Sequence, residues 1–65
     1  MLWQETVTVK RKTVKAILVV YEEVEGWVPF SQIVDGSEIY EASTVGDEGV
    51  LVIPEWLAGE KGWML

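Results

Sequence analysis

Gly26-Trp27-Val28-Pro29-Phe30-Ser31-Gln32-Ile33 sets two large aromatics, a proline and two neutral hydrogen-bonding side chains in one short stretch. It follows the longest apolar run of the chain, Ala16 to Tyr21. Pro29 has no N–H to give to a ladder, so the strand begun by Trp27 and Val28 must stop there or run along an edge. Residues 31–34 then read as a single helical turn, and Asp35-Gly36-Ser37 as a chain reversal. The stretch is therefore the lip of a small β structure, and any binding site is expected beside it.

Working outward, residues 14–22 form the strongest strand pattern. Val14, Ala16, Leu18 and Val20 share one face, and Lys15, Ile17, Val19 and Tyr21 the other. Both faces are apolar from residue 16 to 21, which predicts cover on both sides or a place in a curved sheet. Residues 3–9 alternate, with Trp3, Glu5, Val7 and Val9 on one face, as a half-buried strand does. Between these strands, Lys10-Arg11-Lys12-Thr13 contains no Gly, Pro or Asn. It reads as a polar hairpin loop, the alternative being a strand that continues through a bulge. Glu22 to Gly26 reads as a turn in which Gly26 takes positive φ.

Further along, residues 39–43 and 50–53 read as strands separated by the turn Gly46-Asp47-Glu48-Gly49. Pro54 suits the first position of a helix over about 54–61. Glu55 lies at its positive end and Lys61 near its negative end, and Gly62 can end it. Gly59 weakens such a helix by about 1 kcal/mol relative to Ala, so Trp56 and Leu57 are expected to hold it by packing. The pattern predicts a single domain over residues 1–65. It is mainly β, a small five-stranded barrel or roll with a short C-terminal helix.

A chain of 65 residues is short. Domains of that size bury only about 60% of the surface their unfolded chains expose. Extra support comes from disulfides, metals or self-association. The chain has no cysteine and no histidine, which removes disulfides, thiolate metal sites, the commonest metal ligand and the commonest general base. Four tryptophans supply packing, and at least one is expected at a surface. A homo-oligomer is the expected remaining support.

The net charge of −6 opposes binding to long duplex nucleic acid. The charge is unevenly placed, with Lys10, Arg11, Lys12 and Lys15 grouped early and ten of the eleven acids after Tyr21. Such a patch could hold a small anion, or could keep a strand edge soluble. The N-terminal residues lack the basic and apolar regions of a signal peptide, and the longest apolar run is far shorter than the about 20 residues of a membrane span. A cytoplasmic protein is the expectation.

Catalysis has little to work with. Without His or Cys the usual nucleophilic triads cannot be assembled. The carboxylate pairs Glu22-Glu23 and Asp47-Glu48 lie beside turns, where solvation is the ordinary role. Asp35-Gly36-Ser37-Glu38 is too short for a calcium loop, and Gly46 and Gly49 flank acids that would repel a phosphate. No cofactor is expected. Binding remains. Trp27 and Phe30 offer flat faces, Ser31 and Gln32 offer donors and acceptors, and Arg11 and Lys15 could meet a phosphate. The competing structural reading makes Trp27 and Phe30 core, with Ser31 capping the following turn.

Two resemblances add to this. Gly26-Trp27-Val28-Pro29 resembles the Gly-hydrophobic-Val-Pro segment of SH3 domains, which implies an SH3-like shape and a non-catalytic protein-interaction module. More of the chain resembles a group of short bacteriophage proteins. The match runs through Lys15-Ala16-Ile17-Leu18-Val19, Trp27-Val28-Pro29-x-Ser31-Gln32-Ile33, Gly49-Val50-Leu51-Val52-Ile53-Pro54-Glu55-Trp56-Leu57-Ala58 and Lys61-Gly62. Phe30 stands where that group has lysine. This resemblance implies a phage accessory protein in a host bacterial cytoplasm. Its role would be anti-defence: a sponge that sequesters a small nucleotide or short oligonucleotide signal, with Trp27, Phe30, Ser31, Gln32, Arg11 and Lys15 as the ligand-binding residues.

Overall fold

The computed structural model describes residues 1–64, so Leu65 of the expected domain lies outside the described residues. The elements are β1 (Leu2–Lys12), β2 (Ala16–Tyr21), β3 (Val24–Pro29), a 3-10 turn (Phe30–Gln32), β4 (Glu48–Pro54) and α1 (Glu55–Glu60). All strand pairs are antiparallel, in the spatial order β3-β2-β1-β4. The mainly β class and the short C-terminal helix are as expected. The sheet, however, has four strands and is open, where the sequence predicts a five-stranded barrel or roll.

The missing strand is instructive. Residues 39–43 form bends and a turn, in which Tyr40 and Ser43 exchange hydrogen bonds. In place of a fifth strand, the loop before them runs along β4. Val34 N–H donates to the Val52 carbonyl at 2.9 Å, and Glu38 N–H to the Val50 carbonyl at 2.8 Å. Side chains complete the row: Val52 N–H donates to Ser37 Oγ and Val50 N–H to Glu38 Oε1. Gly49 permits this approach, because a Cβ there would come within 3.1 Å of Glu38. The β4 edge is thus closed by side chains imitating a strand, which period-two patterning cannot detect.

The basic stretch also departs from expectation. β1 continues through Lys12 instead of looping at Lys10. Its register against β2 shifts between Val9 and Arg11, so Lys10 is the extra residue of a bulge. The shift restores the pattern. Val9 pairs with Val19 on the inner face, and Lys12 lies opposite Ile17. Lys12 Nζ then donates to the carbonyls of Glu41 and Ser43, both at 2.8 Å, and fastens the 40–43 turn. Val14, expected within a strand, is 91% exposed at the tip of the β1–β2 hairpin.

The second hairpin turns on Glu22 and Glu23, with φ of 48° and 70°, and not on Gly26. Tyr21 pairs with Val24, which leaves the two-residue loop that favours Asn-Gly because both positions need positive φ. Gly26 lies within β3, where a Cβ would meet Trp63 at 2.9 Å. Its purpose is close approach.

The inner face holds the core: Trp3, Val7, Val9, Ile17, Val19, Val28, Leu51 and Ile53 from the strands. Ile39, Leu57, Ala58 and Trp63 complete it. Trp63 stacks on Trp3 with centroids 5.2 Å apart, and Trp3 meets Tyr21 edge-on at 5.0 Å. Pro54 ends β4 and serves as the helix N-cap, one position earlier than expected. Leu57 and Ala58 anchor α1, whereas Trp56, expected to pack, is 57% exposed. Gly62, at φ 80°, ends the helix. Trp63 N–H bonds back to Ala58 and Gly62 N–H to Gly59, the paired bonds of a Schellman stop.

Two stability effects follow. Replacing Glu22-Glu23 by Asn-Gly relieves left-handed backbone that costs ordinary L-residues roughly 1–2 kcal/mol each, and should stabilise the fold by about 1 kcal/mol or more in urea unfolding. Ser37→Ala strips the Val52 N–H of its partner and should destabilise it by about 1–3 kcal/mol in the same assay.

Candidate functional site

Pro29, at φ −65° and ψ 136°, ends β3 and leads into the 3-10 turn. Phe30 N–H donates to the Lys15 carbonyl at 2.9 Å, and Ile33 N–H to the Phe30 carbonyl at 3.1 Å. These bonds bring Lys15 against Phe30 and close the turn. No side-chain hydrogen bond caps it, so Ser31 does not fill the capping role. Ser31 is exposed and Gln32 half-buried.

The six residues singled out from sequence divide between two surfaces. Trp27 lies opposite Leu18, and Leu18 opposite Arg11, so Arg11, Leu18 and Trp27 form one row across three strands. This row lies on the outer face, the pleat alternating with the buried Ile17, Val19 and Val28. Trp27 is 40% exposed there, Arg11 is exposed, and Ala16, Leu18 and Val20 are half-buried. Two strand spacings separate Arg11 from Trp27, about 10 Å between backbones. The bulge at Lys10 makes the row possible, since without it Arg11 would fall on the other face.

Phe30 belongs to the second surface. It packs against the core and lines a cleft of about 420 Å³ with Ile33, Val34, Asp35, Tyr40 and Glu41. The acids in this lining are Asp35 and Glu41, the wrong sign for a phosphate. Trp27 and Phe30 therefore do not make one stacking platform. Ser31 and Gln32 follow Phe30 in the 3-10 turn and do not line the cleft.

Sequence reasoning missed Leu18 and Val20 as surface residues. Their signal was available in the two apolar faces of residues 16–21, one of which is the core and the other this half-exposed outer face. It also missed Tyr40, which the expected strand over 39–43 obscured.

No family model, curated protein or solved structure matches the chain. The site therefore has to be read from its own chemistry. Among the described residues no cluster of three or more His, Cys, Asp or Glu could hold a metal ion. Among the same residues no helix is long and apolar enough to cross a membrane.

A smaller cleft of about 220 Å³ lies between Tyr21, Glu22, Val24, Gly62 and Trp63. Its phenol is perturbed. Hydrogen bonding with Glu22, then burial, then the negative charges of Glu22 and Glu5 push the Tyr21 pKa up to about 12 from 10.0. Below the ordinary value Tyr21 is neutral both folded and unfolded, and its ionisation leaves stability unchanged. Above it the unfolded chain loses its proton first, so stability falls as pH rises from 10.0 to about 12. In a Tyr40→Phe background the tyrosinate absorbance should rise with a midpoint near 12, and Glu22→Gln should move that midpoint down towards 10.0.

Proposed function

We propose that the chain is a non-catalytic binding module that captures and sequesters a small nucleotide or short oligonucleotide on the outer face of its sheet. The row Arg11–Leu18–Trp27 carries this reading. A half-exposed indole gives a nucleobase a stacking face, worth roughly 1–3 kcal/mol per base. Leu18 supplies an apolar floor beside it. Arg11 reaches the phosphate side as a fixed, always-charged fork, and Lys15 adds charge from the same hairpin. Ser31 and Gln32, at the end of β3, supply neutral donors and acceptors for a base edge. Phe30 supports the turn from the cleft side.

The overall charge of −6 limits the ligand to something small that meets only the basic end of the molecule. Lacking histidine and cysteine, the chain holds its ligand without turning it over. The likeness to short bacteriophage proteins gives the setting: an accessory protein in a host bacterial cytoplasm that withdraws a nucleotide signal from a defence system.

A protein-interaction module is the second reading. It is favoured by Trp56, which is 57% exposed on α1 and has no part in the nucleotide site.

Titrating tryptophan fluorescence with linear and cyclic nucleotides separates the two. Nucleotide binding predicts quenching that is lost in Trp27→Ala and weakened about tenfold or more in Arg11→Ala, the cost of a charge-assisted bond of roughly 1.5–3 kcal/mol. Gln32→Ala should weaken binding while leaving the melting temperature nearly unchanged. Absence of quenching and of any melting shift with millimolar nucleotide would discard the reading.

A further inference from the structure

The two edges of the sheet are treated differently. On β4 the outward groups of Val50 and Val52 are all occupied by the 34–39 loop. On β3 the alternation of the ladder fixes which groups face out. Phe30 N–H points at Lys15, so Val28, Gly26 and Val24 bond towards β2 as well. Glu25, Trp27 and Pro29 face away. The open edge therefore presents the N–H and C=O of Glu25 and Trp27 and the carbonyl of Pro29. Among the described residues, the one hydrogen bond to β3 from outside the sheet and the adjoining turns is Trp63 Nε1 to the Val24 carbonyl, at 2.9 Å. It leaves Glu25 and Trp27 untouched.

We propose that this edge pairs with the same edge of a second copy, β3 against β3, antiparallel about a two-fold axis at Gly26. Residues directly opposite in an antiparallel ladder exchange both backbone bonds. Placing Glu25 opposite Trp27 of the partner does this twice by symmetry, and every outward N–H on the edge finds a carbonyl. Neighbouring registers fail. One sets Glu25 opposite Glu25, a like-charge pair. The other sets Glu25 opposite Pro29, which has no N–H to return. In the matched register the two Trp27 side chains are diagonal neighbours, about 7–8 Å apart across the outer face and within reach of one another.

Charge selects the same arrangement. β3 runs from the acidic turn Glu22-Glu23 to the end that lies against Lys15. Antiparallel pairing sets the acidic turn of each copy beside the basic end of the other, and parallel pairing would set acid beside acid. Proline and acidic residues also serve to keep edges unpaired. Here Pro29 lies just beyond the matched pair, where it limits the ladder without interrupting it. With β4 already closed, assembly stops at two copies and does not extend into a fibre.

This inference does not rest on the nucleotide reading, and its test contains no nucleotide. Sedimentation across a concentration series should show monomer giving way to dimer, with half-association on the order of 100 µM for so small a contact. Amide exchange at Glu25 and Trp27 should slow at least about tenfold in the dimer, as opening free energies dictate for newly bonded amides. Glu25→Pro removes an N–H that faces away from β2 and should abolish the dimer. Lys15→Glu and Glu23→Lys should each weaken association several-fold, and the two together should restore it; this pair decides the matter if Glu25→Pro fails to fold. A monomer up to about 1 mM overturns the proposal, since even weak specific contacts associate there. A dimer whose Glu25 and Trp27 amides exchange freely, or that ignores the charge reversals, overturns it too.

Discussion

The indole of Trp63 is the contact on which the rest of the molecule leans. It stacks on Trp3 of β1, donates Nε1–H to the Val24 carbonyl of β3, and fills the space that Gly26 leaves. Its position is set by the Schellman stop at Gly62, so the helix end, two strands and the aromatic core share one side chain. β1 and β3 are not neighbours in the sheet, and Trp63 ties them directly across β2. A four-stranded sheet of this length exposes one face to water. It is held because its other face is closed by an aromatic that also satisfies its own polar atom.

Most strands were legible from period-two alternation, because their inner residues bury fully while their outer ones do not. Val7, Val9, Ile17, Val19 and Val28 follow that rule without exception. The failures have particular causes. Residues 39–43 carry a strand-like composition but fold as a turn, since the β4 edge was already satisfied by Ser37 and Glu38 through side-chain oxygens. The turn expected over Glu22 to Gly26 pivots on Glu22 and Glu23 and not on Gly26, which the sequence hides because glutamate is seldom found at positive φ. The bulge at Lys10 was one of two readings open for the basic stretch, and only the pairing of Val9 with Val19 and of Arg11 with Leu18 decides it.

The candidate site was legible as a list and not as a shape. Trp27 and Phe30 are close in sequence, yet the alternation of the strand and the turn after Pro29 send them to different surfaces. Arg11 and Trp27 are far apart in sequence, yet one register places them in a single row. Pairing register is a tertiary property, set by the bulge and by both turns together. No local pattern in the chain announces it.

The pairing of β1 with β4 has a consequence for how the chain reaches this state. β1–β2 and β2–β3 are hairpins that can form from neighbouring residues, whereas β1 meets β4 only when Thr8 finds Glu48 and Leu2 finds Pro54. The entropy of closing that span must be met before β4, α1 and Trp63 return any packing. Assembly of the three-stranded meander therefore comes early and docking of the last third comes late. The 34–39 loop that seals β4 belongs to the late step. Strengthening it lengthens the lifetime of the native state and leaves the speed of folding little changed.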